Sequence, residues 1–172
     1  MSGRILVGSH HGVYLLLFEG DVRLTLCSAV DGYIDKMFRD PEFKSVVVDL
    51  SATDGIDSTS LGVLAKLSIQ AEKLHGFKPT LVSIRRDITR ILFSMGFDDV
   101  FTIVEQPLEH EHQLGELTRV ESTEEEMRQR VLEAHRALME LNDENREAFH
   151  DLVESLQSEE PPVEPAPRRM AI

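Results

Sequence analysis

The chain has 172 residues, 41% of them hydrophobic, and its 31 acidic and 18 basic residues give a formal net charge of −13. This length and apolar content predict one folded domain with an addition, and a surface this negative repels the phosphates of nucleic acids and anionic lipids, so neither is expected as a partner. The single cysteine cannot form a disulfide within the chain, and the apolar runs are too short to span a membrane. The N-terminus lacks the apolar core of a signal peptide. We therefore expect a soluble cytoplasmic protein with no membrane partner.

The first fifty residues predict two strands, a helix and a third strand. The expected elements are strands over 4–7 and 13–18 around a turn at His10-His11-Gly12, a second turn at Glu19-Gly20-Asp21, a helix over 28–39 and a strand over 45–50. The run at 45–50 is β-branched and does not alternate, a pattern typical of a strand that is buried on both faces. Cys27 lies among apolar residues, which favours a core position over a nucleophilic role.

The next fifty residues continue the alternation of helices and strands. A polar loop over 51–57 precedes a helix that begins at Ser58 and ends near Gly76. A strand over 80–84, a helix over 88–95 that Gly96 stops, and a strand over 100–104 follow. Because the links are short, this alternation predicts an α/β fold with a mixed or parallel sheet and helices packed against it.

The end of the chain differs in composition from the rest. Residues 121–172 hold 14 acidic and 6 basic residues. We predict an acidic helical extension over 119–158, with Ser122 as its cap and Glu125 three positions later, followed by a disordered Pro-rich tail over 159–172. Asn142-Asp143 interrupts the apolar stripe, so the extension is one long helix or a helix–turn–helix. Its stripe either packs on its own domain, pairs with a second copy or binds a partner helix.

The most informative segment is the passage from the 45–50 strand to the next helix. It contains Asp49-Leu50, a polar loop, and then Asp57-Ser58-Thr59-Ser60-Leu61-Gly62 at the predicted helix start. Small capping residues are favoured there, because the first turn of a helix leaves backbone N–H groups unpaired. Capping alone accounts for Asp57 or Ser58, although it does not explain three hydroxyls in a row.

This segment resembles the STAS domain of the anti-sigma factor antagonists, in which a buried strand ending in Asp-Leu precedes Asp-Ser-Ser/Thr-Gly-Leu-Gly at a helix start. Further along the chain, 80–84 matches a later strand of the family, 91–97 matches the end of the following helix, and 100–103 matches the last strand. The resemblance therefore extends over about 3–118. It implies a STAS domain over 1–118 with a STAS-like mixed sheet. Two residues depart from the family pattern: Ser60 replaces a glycine, and Arg23 replaces the last acid of the turn at 20–23.

The resemblance implies a binding protein without catalytic activity or cofactor. Ser58 matches the residue that the family phosphorylates, with Thr59 and Ser60 as secondary candidates, and the expected partner-binding residues are Asp54, Asp57, Ser58, Thr59 and Ser60. The unphosphorylated form would bind an anti-sigma factor and so regulate transcription indirectly. The implied partners also include a serine kinase and a PP2C-type phosphatase. Because Asp54 and Asp57 repel a phosphate, we expect that group to face outward.

Two alternatives to this function remain open from the residues alone. One is a STAS scaffold subunit of a larger assembly, in which the hydroxyls only cap a helix. The other is a receiver-like domain phosphorylated on Asp49, although the first strand supplies no acidic pair for it.

Metal and hydrolase chemistry receive little support from the sequence. His110-Glu111-His112 is interpreted as a solvated linker and His10-His11 as a polar turn, so no metal site is predicted. Ser58 lacks the Gly-x-Ser-x-Gly context of a hydrolase nucleophile.

Overall fold

The computed structural model describes residues 2–158, so the tail predicted over 159–172 lies outside the described residues. The strands are β1 (Arg4–His10), β2 (Val13–Val22), β3 (Ser45–Asp49), β4 (Thr53–Ile56), β5 (Thr80–Val82), β6 (Thr102–Val104) and β7 (Gly115–Glu116). The helices are α1 (Cys27–Arg39), α2 (Ser58–His75), α3 (Arg86–Ser94), α4 (Glu124–Leu141) and α5 (Asp143–Ser158), with short 3₁₀ turns at Leu24–Leu26 and Phe97–Asp99.

The strands form one mixed sheet in the order β6-β5-β3-β2-β1-β7, and β4 pairs with the end of β2. The pairs β1–β2 and β1–β7 are antiparallel, while β2–β3, β3–β5, β5–β6 and β2–β4 are parallel. Right-handed crossover helices normally join such parallel strands, which explains the alternation in the sequence. The predicted α/β fold with a mixed sheet and a C-terminal helical extension is confirmed.

Two predicted connections are in fact strand. The turn expected at Glu19-Gly20-Asp21 is wrong, because β2 runs on to Val22 and its register shifts between Gly20 and Asp21, where Gly20 has φ 76°. The polar loop expected over 51–57 is wrong for the same reason, since Thr53–Ile56 is β4 and pairs with the end of β2. A glycine in the left-handed region at a bulge is a common device for bending a strand without ending it.

The expectation that β3 is buried on both faces is wrong. Val46 and Val48 lie in the hydrophobic core with the helices, whereas Val47 and Asp49 are half-buried on the opposite face. On that face Val47 and Asp49 line a cavity of about 540 Å³ that the segment 108–112 partly covers. A run of valines therefore cannot distinguish a strand with one packed face from a strand with two.

The helix α2 is enclosed on more than one side. Five consecutive residues, 61–65, are buried, and together they span more than a full helical turn. The residues 61, 64 and 65 also belong to the hydrophobic core that includes Leu16, Val48 and residues of α4. A helix that is apolar on all its faces must pack against other elements on opposite sides. For α2 the sheet provides one of these contacts and α4 provides the other.

The helical extension is a helix–turn–helix that packs on the domain. Asn142 interrupts it with an extended backbone, and α5 begins at the next residue. The cap predicted at Ser122 is wrong by one position: Thr123 accepts a hydrogen bond from the N–H of Glu126 at 3.1 Å, while the hydroxyl of Ser122 pairs with that of Ser28. Among residues 2–158, no helix is both long and apolar enough to cross a membrane.

Candidate functional site

The first turn of α2 is held in place by the carboxylate of Asp57. One oxygen, Oδ1, accepts a hydrogen bond from the N–H of Ser60 at 2.8 Å, which caps the helix. The other, Oδ2, accepts from the N–H of Leu24 at 2.7 Å and so ties the helix start to the turn after β2. One side chain thus fixes the position of the predicted phosphorylation motif.

Ser58 is half-buried, and its hydroxyl meets a histidine of the helical extension. Its Oγ lies 2.9 Å from Nε2 of His135 on α4, a residue only 1% exposed. The other ring nitrogen, Nδ1, lies 2.6 Å from the carbonyl oxygen of Val131, which can only accept a hydrogen bond. In the neutral ring, Nδ1 therefore carries the proton, and the hydroxyl of Ser58 donates to Nε2.

The secondary phosphorylation candidates lie beneath the surface. Thr59 and Ser60 are each 4% exposed. The hydroxyl of Ser60 is 3.5 Å from the sulfur of Cys27, and burial raises the pKa of that thiol to about 12. Cys27 is therefore a core residue, as predicted. Asp54, by contrast, is exposed and forms an ion pair with Arg85 at 2.5 Å.

The helices α2 and α4 approach each other closely at Gly62. A Cβ added to Gly62 would lie 2.3 Å from the carbonyl oxygen and 2.6 Å from the Cβ of Ala134. No neighbouring side chain can rotate away from such a contact, because one of the atoms belongs to the backbone of α4. The glycine of the motif therefore lets the α4 backbone lie directly against α2.

A polar network borders this helix crossing. Nε of Arg130 lies 2.8 Å from Oδ2 of Asp31 on α1, and Nη1 of Arg130 donates to the hydroxyl of Ser28 at 2.9 Å. Lys66 on α2 reaches Asp31 at 3.8 Å and Glu133 on α4 at 3.5 Å. The contacts of Arg130 and Glu133 fix the rotation of α4 about its axis, because they join defined residues of α4 to α1 and α2.

The histidines that the sequence analysis treated separately lie close together. The rings of His10 and His112 are 6.2 Å apart, those of His110 and His112 are 5.6 Å apart, and His10 forms a 3.4 Å contact with Glu111. The helical spacing that would place His110 and His112 on different sides does not apply, because residues 110–112 are not helical. Among residues 2–158, the trio whose ligand atoms lie close enough to share an ion is instead His150, Asp151 and Glu154, all exposed on α5. Exposed acidic groups of this kind are common without a metal.

Sequence reasoning missed two contacts between the motif and α4, the one from Ser58 to His135 and the one from Gly62 to Ala134. His135 was not singled out, although it follows Ala134 within the apolar stripe of α4. Gly62 was noted as a motif residue, but its contact with α4 was not. The available signal was the continuous apolar run at 61–65, which has no polar face and therefore requires a cover.

The chain is similar to known proteins of one family. A family model described as the STAS domain matches residues 5–110. The crystal structure of an anti-sigma factor antagonist from Mycobacterium paratuberculosis is similar, with 26% sequence identity, a TM-score of 0.53, and coverage of 61% of this chain and 87% of the other. The NMR structure of the protein TM1081 is 21% identical, has a TM-score of 0.51, and covers 58% of this chain and 78% of its own, which supports the fold alone. No curated protein matches the chain.

Proposed function

The chain belongs to the STAS domain family, and from this membership we propose that it acts as an anti-sigma factor antagonist whose docking is switched by phosphorylation of Ser58. The unphosphorylated protein binds an anti-sigma factor, which then releases a sigma factor. A serine kinase adds the phosphate and a PP2C-type phosphatase removes it, in the cytoplasm. The protein itself has no catalytic role in this scheme.

The observation that carries the proposal is the position of Ser58 at the N-terminus of α2. Asp57 holds this turn rigidly through two backbone hydrogen bonds. A phosphate bound at a helix N-terminus is stabilised by the helix dipole by about 0.3–1 kcal/mol, so α2 itself should survive the modification. The phosphate should instead weaken the docking of any protein or helix that contacts the start of α2, because the phosphate adds charge and volume at that contact.

The phosphate cannot simply be added to the arrangement described above. The hydroxyl of Ser58 is hydrogen-bonded to His135, which is almost fully buried. A phosphoryl group is larger than the space that a 2.9 Å contact leaves. An outward-facing phosphate therefore requires that the Ser58 side chain turn away from His135 or that α4 move, and in either case the hydrogen bond to α4 is lost, so phosphorylation and α4 docking oppose each other.

A second candidate function is a STAS scaffold subunit that is not phosphorylated. The observation that favours it is the same hydrogen bond, because a serine at a helix start that bonds a buried histidine has a sufficient structural role. The two candidates differ in one respect: a scaffold binds its partner equally well whatever the charge at position 58.

The experiment compares four forms of the full chain in affinity purification from lysate of the source cells: the unmodified protein, Ser58→Ala, Ser58→Asp, and protein carrying phosphoserine at position 58. We expect the first two to retain an anti-sigma factor, identified by mass spectrometry, and the phosphoserine form to lose it. Phosphoserine is included because the carboxylate of Ser58→Asp carries less charge and less volume than a phosphate. Equal retention by the unmodified and phosphoserine forms would reject the switch and favour the scaffold.

A further inference from the structure

We propose that the helical extension is an internal competitor: α4 occupies the face of α2 on which the anti-sigma factor docks, and the partner must displace it with a helix of its own. This inference rests on the proposed function and assigns to the extension a role in it. The helices α4 and α5 together form a helical hairpin, Glu124–Ser158.

The first support is that the hairpin covers the motif at its functional residue. Ser58 donates its hydroxyl to His135, and the ring of His135 lies 5.2 Å from that of Phe149 on α5. Both helices of the hairpin thus contribute to the group that lies over Ser58. A partner or a kinase that needs Ser58 meets the hairpin first.

The second support is the form of the helix crossing. Close backbone approach at a glycine is the geometry in which one helix packs against another, and here the glycine belongs to the motif itself. Gly62 and Ala134 form the crossing point, and Leu132 and Leu138 are fully buried on either side of Ala134. The α2 face therefore accepts a helix with a small residue at the crossing and leucine-like side chains near it.

The third support is the charge pattern at the border of the crossing. Asp31 forms an ion pair with Arg130, and Lys66 forms one with Glu133. The domain thus presents one acidic and one basic side chain to the helix that covers α2. Interfaces between separate proteins have such polar rims around an apolar centre. The competing helix is expected to present a basic group towards Asp31 and an acidic group towards Lys66, as α4 does.

The fourth support is the length of the connection. Nineteen residues, 105–123, separate β6 from α4, and their regular structure is limited to the two-residue strand β7. β7 pairs with β1, and the N–H of Leu117 donates to the carbonyl oxygen of Ile5, so the part of this connection that can move with the hairpin is residues 118–123. These six residues hold no helix or strand, and they form a short tether that lets the hairpin leave α2 while β7 stays in the sheet.

The energetic consequence follows from population shift. If the hairpin is docked most of the time, the apparent affinity for the partner is reduced by the fraction of molecules in which the α2 face is free. Phosphorylation of Ser58 breaks its hydrogen bond to His135 and so weakens docking of the hairpin, and undocking in turn increases access for the kinase. The docked hairpin therefore lowers both the apparent affinity for the partner and the rate of phosphorylation.

The first experiment measures the exposure of position 58 in the full chain and needs no partner. A thiol is introduced by Ser58→Cys, and its alkylation by iodoacetamide is followed by mass spectrometry. The native Cys27 is buried, with a pKa of about 12, so it should stay unlabelled in any folded protein and reports unfolding if it does react. Measuring the rates at several pH values corrects for changes in the pKa of the introduced thiol.

The hairpin is opened from its own side by Ala134→Leu, which places a larger side chain against Gly62 and leaves α2 unchanged. The matched control is Ala148→Leu, at an exposed position on α5. We expect Ala134→Leu to accelerate labelling at position 58 by about tenfold or more, equivalent to about 1.4 kcal/mol in the opening equilibrium, and Ala148→Leu to leave it unchanged. Equal labelling rates in the two proteins would overturn the inference.

The second experiment uses the anti-sigma factor captured by the unmodified protein, purified, and measures its dissociation constant by calorimetry. Ala134→Leu should tighten binding by about tenfold, because the competing helix is displaced. Gly62→Ala should also accelerate labelling, yet it should weaken binding by about tenfold, because the partner helix needs the same close approach. Opposite effects of these two substitutions are expected only if hairpin and partner share one face.

The outcomes separate this inference from the proposed function. If Ala134→Leu exposes position 58 but does not tighten binding, the competition is rejected while the phosphoserine switch stands. If unmodified and phosphoserine proteins bind equally, the switch is rejected, and tighter binding by Ala134→Leu would still support the competition. If no anti-sigma factor binds in any form, both are rejected.

Discussion

Ser58 on α2 and His135 on α4 are 77 positions apart in the sequence, yet the hydroxyl oxygen and the imidazole nitrogen are 2.9 Å apart. The hydrogen bond joins the proposed phosphorylation site to a segment outside residues 5–110, which match the family. A modification of Ser58 therefore changes the free energy with which the extension docks on the domain. The reverse also holds, because a binding free energy that couples two sites acts equally in both directions.

The contribution of His135 can be measured by replacement. His135→Ala removes the partner of Ser58 and leaves a cavity beside Phe149, so we expect the free energy of unfolding to fall by about 2–4 kcal/mol. His150→Ala is the matched control, since His150 is exposed on α5, and it should change stability by less than about 0.5 kcal/mol. Urea denaturation followed by circular dichroism gives both values; similar losses in the two variants would contradict the assigned role.

The carboxylate of Asp57 should matter through both of its oxygens. Asp57→Ala loses the cap on Ser60 and the bond from Leu24, for an expected loss of about 2–4 kcal/mol. Asp57→Asn keeps one acceptor oxygen and should lie between the unmodified protein and Asp57→Ala. The control is Asp54→Ala, which removes an exposed ion pair with Arg85 and should change stability by less than about 1 kcal/mol. Thermal and urea unfolding would measure the series, and equal losses for Asp57→Asn and Asp57→Ala would contradict a role for the second oxygen.

The sequence predicted the fold better than it predicted the surroundings of the motif. Local signals located α1, α2 and α3 within a few residues, because apolar spacing and the glycines at 76 and 96 are properties of each segment alone. The continuation of β2 and the strand β4 were missed because each exists through pairing with the other. The same reason applies to Ser58: a motif shows which residues begin a helix, whereas its cover comes from a helix more than seventy positions later. Long-range packing decides such features, and a local pattern does not contain it.

The ion pair between Arg130 and Asp31 should couple the hairpin to α1. The two side chains are 23% and 12% exposed, so salt screens their attraction less than that of surface charges. A double-mutant cycle with Arg130→Met and Asp31→Asn should give a coupling energy of about 1–3 kcal/mol that changes little between low and high salt. The pair Arg146–Asp143, exposed on α5, is the control and should give about 0.5 kcal/mol or less. Equal coupling in the two cycles would contradict a special role for Arg130.

The buried thiol of Cys27 predicts a pH dependence of stability with a defined sign. Burial raises its pKa from an ordinary value of 9.0 to about 12 in the folded protein, so the native state holds the proton more tightly than the unfolded state does. Between these two pKa values the unfolded chain binds fewer protons, and the free energy of unfolding falls as the pH rises. The stabilisation is complete below about pH 9 and is lost progressively towards pH 12.

The size of this effect is within reach of measurement. Between about pH 9 and 10.5, Cys27 should lower the free energy of unfolding by about 1–2 kcal/mol, in addition to the contributions of other groups. Cys27→Ser replaces the thiol with a hydroxyl that does not titrate in this range, while groups such as Tyr14, whose pKa is also raised to about 12, remain the same in both proteins. The difference between the two urea-unfolding curves across this pH range isolates the thiol. Parallel pH dependences would mean that Cys27 ionises in the folded protein as easily as in the unfolded chain.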